Sequence, residues 1–222
     1  MSLLTICQTA LAESRMAGTI GTTTAASGFN QAVINHAIEA DVFIQAQHPD
    51  WRFLWKVWDT TLSAGATSGL FAEYDPPSDV RTFIPNAALL NGNPLRIYNY
   101  ETNRSLALLT TSGTPTSMVL MPNGKVRFTP IPTATATLSA EYFRMPLRMA
   151  LDNDLSLIPV GFERAIVTLT LAKIHEGNNA WENYNQAMLE HETWMSQLRS
   201  SQLPGYDNVT MGSGGPRLGV VR

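Results

Sequence analysis

The sequence is almost without cysteine: Cys7 is the only one in 222 residues. An internal disulfide is excluded, and so is a metal site built on several thiolates. Histidine is scarce too, with His36, His48, His175 and His191 scattered along the chain. His175-Glu176 opens like the helix of a zinc protease, but Asn179 stands where the second histidine would be, so the two-histidine face is missing. Charged residues make up only 15% of the chain, and 15 Lys and Arg against 18 Asp and Glu leave a net charge of −3. A protein that grips nucleic acid carries a basic footprint, and this composition supplies none. No apolar run approaches the roughly 18–20 residues of a membrane span. The first stretch, MSLLTICQTALAESRM, lacks the basic start of a secretory signal and reads as an amphipathic helix. Folding in a cytoplasm is the expectation, so the sequons at Asn103 and Asn208 carry no message. There is no Walker loop, nucleophile elbow or dinucleotide fingerprint, because the late GSGGP run has no strand before it and no helix after it.

What is there is apolar residue in quantity, 44% of the chain, enough for one good core or two modest ones at this length. The stretch Phe29 to Trp58 organises the rest. Phe29, Val33, Ile34, Ala37, Ile38, Val42, Phe43 and Ile44 fall mostly three or four apart, one wide face of a helix. Pro49 closes that helix, since the residue before a proline is pushed out of the helical region. Trp51, Phe53, Leu54, Trp55 and Trp58 follow. Large rings bury roughly 150–250 Å² each, and this group is expected to act as a helix-to-sheet hinge clamping the two layers.

In chain order, residues 2–16 form a first helix and 18–28 a polar Gly/Thr/Ser loop. From Val57 the apolar period changes to two. Asn91-Gly92, Asn93-Pro94, Ser112-Gly113 and Asn123-Gly124 punctuate a series of short strands, and the hairpin across Pro122-Asn123-Gly124 is the plainest of the turns. Helical spacing returns after Pro159, with Gly177-Asn178-Asn179 as a stop and restart. The expected fold class is α+β: an antiparallel helical bundle made by the N- and C-terminal helices, an inserted antiparallel β-sandwich or barrel, and an extended C-terminal tail. The boundaries read 1–56 and 159–203 for the bundle, 57–158 for the β domain and 204–222 for the tail. From composition alone the glycine-rich tail is a disordered terminus.

Few constellations carry chemistry. Asp152-Asn153-Asp154 begins like a calcium loop, but Leu157 occupies the glycine position and no glutamate closes it, so it reads as a polar turn. Glu182, Glu190 and Glu192 on the last helix, or the Asp152/Asp154 turn, leave room for a carboxylate pair of the kind that cleaves glycans. The second reading of the chain is therefore a peptidoglycan hydrolase. A third is a glycan-binding module that stacks sugars on Trp51, Trp55 and Trp58, although packing is the commoner fate of such rings.

Several short motifs then fall in one order: His48 to Trp55 (HPDWRFLW), Gly65, Tyr74-Asp75-Pro76-Pro77-Ser78-Asp79, Gly92-Asn93-Pro94-Leu95, the hairpin from Asn123 to Pro132, Glu141 to Pro146 (EYFRMP), Asp152 to Asp154, Ile158-Pro159 and Phe162. In this succession the chain resembles the head-to-tail adaptor proteins of tailed bacteriophages. The Asp75-Pro76-Pro77 run departs from the family's more usual Leu-Pro after the tyrosine. The resemblance implies a structural protein and no enzyme, with no cofactor and no metal. It implies a homo-oligomeric ring, commonly of twelve copies, at the head–tail junction of the virion and assembled in the host cytoplasm. One face meets the portal protein and the other the tail or nozzle protein, and DNA passes through the lumen during ejection without specific binding. Low charge suits a chain whose flanks are covered by copies of itself. With that resemblance in view the tail becomes a candidate portal-binding segment, through Tyr206, Met211, Pro216, Arg217, Leu218, Val220, Val221 and Arg222.

Overall fold

The computed structural model describes residues 1–64 and 73–203. In chain order these form helices α1 (Leu3–Glu13) and α2 (Gly28–Gln47), strands β1 (Trp55–Leu62), β2 (Glu73–Tyr74), β3 (Val80–Leu90) and β4 (Asn93–Asn99), and a short helix α3 (Arg104–Ala107). Strands β5 (Ser112–Gly113), β6 (Ser117–Leu120), β7 (Val126–Thr129), β8 (Ile131–Pro132) and β9 (Ala136–Arg144) follow, then helices α4 (Arg164–Gly177) and α5 (Trp181–Gln202). The fold is mixed α+β. It divides into a helical unit, Met1–Phe53 with the described residues from Pro146 onward, and a β unit, Leu54–Met145.

In the helical unit α4 is central and packs against α1, α2 and α5. Its sequence explains the position, since ten of its residues from Ala165 to His175 are buried, on every side of the helix, as in a helix surrounded by others. Helix α4 begins at Arg164 rather than at Pro159, because Gly161 takes φ +104°, a value no helix accommodates. Helix α2 buries Val33, Ile34, Ala37, Ile38 and Ile44, but Phe43, expected on the same face, is 54% exposed. The buried arc is instead completed by two polar residues, Asp41 and Gln45.

In the β unit seven strands join in one sheet, ordered β1-β9-β3-β4-β6-β7-β2, with β5 and β8 forming a separate pair. Where two facing sheets or a closed barrel were expected, the structure has a single, mostly antiparallel sheet curled into a half-barrel. Two features produce this. Strand β9 pairs along its length with β1 on one side and β3 on the other, so what could have been two sheets is continuous. Strands β4 and β6 are parallel, which requires a crossover rather than a hairpin; α3 lies in that connection. The core is made by one face. Ala136, Leu138, Ala140 and Tyr142 of β9 meet Trp58, Leu62, Phe83, Leu90, Met118 and Phe128, with the period of two that a half-buried strand demands.

The tightest hairpin is not at Asn123-Gly124. Asn91 and Gly92 both take positive φ, 50° and 79°, and join Leu90 directly to Asn93 in the β3–β4 pair, which is the two-residue mirror-image turn that Asn-Gly favours. At the other hairpin only Gly124 has positive φ. The Asn123 side chain there accepts the Lys125 N–H at 3.0 Å, giving a three-residue loop. Leu138 is buried at the centre of this core, so Leu138→Ala should cost about 2–5 kcal/mol, read as a lowered midpoint in urea denaturation of the β unit.

Candidate adaptor site

Two polar clusters are built from residues far apart in sequence, one in each unit. In the β unit the cluster forms around Asp79. Its carboxylate accepts from the Tyr142 hydroxyl at 2.8 Å and the Lys56 ammonium at 2.9 Å, with the Arg144 guanidinium at 3.6 Å. Its backbone carbonyl takes the Met145 N–H at 2.6 Å. Partial burial works to raise the pKa of Asp79, but Lys56, Tyr142 and Arg144 together outweigh it and hold the carboxyl below its ordinary range. On the same two strands, β1 and β9, the Trp55 indole donates to Glu141 at 2.8 Å. Three of the sequence motifs meet here, because HPDWRFLW runs into Trp55 and Lys56, Asp79 ends the Tyr-Asp-Pro-Pro run, and EYFRMP supplies Glu141, Tyr142 and Arg144. In this geometry they fasten strand ends.

In the helical unit the cluster forms between α2 and the segment from Leu147 to Ile158. Asp41 is fully buried, accepting from Ser156 Oγ at 2.5 Å and from Gln45 Nε2 at 2.7 Å. The Gln45 amide in turn pairs with the backbone of Leu147, accepting its N–H at 2.9 Å and donating to its carbonyl at 3.2 Å. Burial pushes Asp41 up to about 6 against the opposing bonds from Ser156 and Gln45. The Asp152 to Asp154 turn completes the joint. The carbonyls of Asp154 and Asp152 accept the Leu3 and Leu4 N–H groups at 2.9 and 3.2 Å, donors that the start of a helix leaves free. The Asp152 carboxylate takes the Thr22 hydroxyl at 2.8 Å and the Thr23 N–H at 2.6 Å, and also the Thr23 hydroxyl. Asp154 takes the Ala150 and Leu151 N–H groups at 2.7 and 2.8 Å.

These bonds bear on the glycan-cleaving reading. Thr23 and Thr22 hold Asp152 below the ordinary carboxylate range, and the Ala150 and Leu151 amides do the same for Asp154, the reverse of what a general acid needs. Glu190 is paired with Arg164 at 3.0 Å and Glu192 with Arg199 at 3.6 Å, while Glu182 stands exposed in the first turn of α5. Among the described residues the one carboxyl raised toward neutrality, Asp41, is sealed from solvent. Among the described residues no group of three or more His, Cys, Asp and Glu could hold a metal ion.

The hinge rings are divided between the units. Trp51 is wholly buried among the helices, donating its indole N–H to the Ile44 carbonyl at 3.0 Å and stacked on Phe53 at 5.3 Å. It thus satisfies a carbonyl that the end of α2 would leave open. Leu54 and Trp58 are buried, Trp58 in the β core 6.0 Å from Phe83, and Trp55 is about half exposed. A flat platform of three exposed tryptophans does not exist. The tail residues Tyr206, Met211, Pro216, Arg217, Leu218, Val220, Val221 and Arg222, like Gly65, lie outside the described residues. Sequence reasoning missed Asp41 and Gln45. The signal was their place on the buried arc of α2, seven and eleven positions after Ile34.

Asp41 sets a pH dependence. Its pKa is raised on folding from 3.8 to about 6, so the folded chain holds the proton to higher pH than the unfolded chain does. Stability from this group is complete below about pH 4 and is lost as pH rises through about 6, by about 2–3 kcal/mol. Denaturation of the parent chain and of Asp41→Asn across pH 4–7 should give a difference that closes over this window, with the asparagine variant gaining relative stability as pH rises.

No curated protein matches the chain. A family model described as SU10 adaptor protein matches residues 1–210, nearly the whole chain, and the chain therefore belongs to the SU10 adaptor protein family.

Proposed function

We propose that this chain is a structural head-to-tail adaptor of a bacteriophage, assembled as a ring of copies, commonly twelve, between the portal and the tail or nozzle protein. The match to the adaptor family over residues 1–210 carries the reading. Two further observations support it. The helical unit exposes large apolar side chains, Leu151, Leu155, Val160, Trp181 and Leu189 among them, which neighbouring copies in a ring would cover. The small negative net charge suits a lumen along which phosphates slide, since lysine and arginine contacts would hold DNA in place.

In this reading residues 204–222 form an extended arm that docks on the portal. Leu218, Val220 and Val221 supply apolar anchors, and Arg217 and Arg222 supply charge. A segment that orders on binding loses conformational entropy at that moment, and its apolar anchors offset that loss. Mass measurement of the complex with portal protein should give a closed ring, and a single bound copy would count against the role. Deleting residues 205–222 should leave the urea midpoint unchanged and weaken portal binding at least tenfold; equal binding by the shortened chain would remove the arm from the account.

A further inference from the structure

Leu147, Leu151 and Leu155 stand four residues apart on the segment that returns from the β unit, and they are 43%, 59% and 66% exposed. The backbone beneath them is pinned. Gln45 holds Leu147, the Asp154 carboxylate holds Ala150 and Leu151, and Leu155 bridges to Ser2. On this pinned backbone all three leucines remain exposed, and together they are the apolar ridge of the segment. Beside Leu147 lies Arg148, which is exposed and makes no ion pair or hydrogen bond among the described residues.

Helix α2 also borders a groove of about 300 Å³ lined by Glu39, Phe43, Leu169 and Lys173. Phe43 is more than half exposed on it. The Glu39 carboxylate is 62% exposed and has only a long contact to Lys173, 3.8 Å. Two residues along a helix are about 200° around its axis, so Glu39 and Phe43 face away from Asp41 and Gln45, which hold the ridge segment. Ridge and groove are unlike surfaces on opposite sides of one helix. No chain can join its own ridge to its own groove, and unlike surfaces of this kind link copies head to tail, an arrangement that gives a ring where the rotation closes.

We propose that the Leu147–Leu151–Leu155 ridge of one copy docks in the α2–α4 groove of a second copy, with Arg148 against Glu39. The inference rests on the ring reading above and names the surfaces that make it. The leucines and Phe43 supply the buried apolar contact, and the lone arginine opposite the weakly paired glutamate fixes register and rejects misdocking.

A charge exchange tests it. Arg148→Glu and Glu39→Arg should each weaken assembly on the portal at least tenfold, measured by native mass and sedimentation, and the chain carrying both should recover it. Both residues are exposed, so the circular dichroism spectra should match the parent's, and recovery in the double variant separates a broken interface from a broken fold. Because Cys7 is buried, Leu151→Cys combined with Phe43→Cys should give an oxidised ladder of linked copies on the portal, with neither single variant doing so. Rings that form equally well with either charge variant, or that yield no ladder, overturn this interface and leave the ring itself standing. A portal complex holding one copy of the parent chain overturns both.

Discussion

A buried carboxylate has to have donors, and in the helical unit the set is completed only when the chain comes back. Asp41 lies 115 residues from Ser156, and Gln45 lies 102 from Leu147. The cost of leaving Asp41 or Gln45 unpaired in that interior would be several kcal/mol. The first N–H groups of α1 impose the same condition, since their acceptors are the carbonyls of Asp152 and Asp154. Helices α1 and α2 are therefore incomplete on their own. Their polar groups are satisfied only when the β unit has been traversed and the chain has re-entered among them, which is a physical reason for an insertion to sit here without opening the helical core.

The β unit solves its own version of the problem with charge. Strands β1, β3 and β9 end near one another, and strand ends leave backbone and side-chain groups facing solvent. Asp79 gathers Lys56, Tyr142 and Arg144 at that place, and the Met145 N–H closes on its carbonyl. At the far edge the two-residue strand β2 is held by the Glu73 carboxylate on Arg127, at 2.6 Å. In a chain with so few charges these groups are concentrated where the pairing of strands begins and ends. Three of the motifs singled out in the sequence, HPDWRFLW, the Tyr-Asp-Pro-Pro run and EYFRMP, meet at this place and fasten the sheet.

Much of this was legible before the structure. The helical spacing of α2, α4 and α5, the change to a period of two after Val57 and the return of the helical period after Pro159 all follow from where apolar residues fall. What was not legible depends on partners distant in sequence. Asp41 and Gln45 sit on the apolar arc of α2, and nothing nearby says what they bond. The parallel pairing of β4 with β6 comes from a crossover that turn residues do not encode. Asn91-Gly92 and Asn123-Gly124 look alike as dipeptides, but the flanking residues decide that one closes a two-residue turn and the other a three-residue loop. The tryptophans gave the opposite lesson: clustered in sequence, they are parted in the fold, with Trp51 finishing a helix and Trp58 filling a sheet.

The same pinning that completes the helical core has a consequence at the surface. A segment such as 146–158, with neither helix nor strand of its own, would ordinarily be free to turn its leucines inward, and the gain of roughly 25 cal/mol for each Å² of apolar surface withdrawn from water would favour that. The bonds from Gln45, Asp154 and the start of α1 forbid it, because each is a buried or charge-assisted contact whose loss would offset the burial of one leucine. Apolar side chains kept outward by polar contacts behind them are preorganised: they lose little freedom when a partner covers them. In the proposed ring, copies that join one at a time would gain from such a surface, since the ordering entropy of the contact has already been spent in folding.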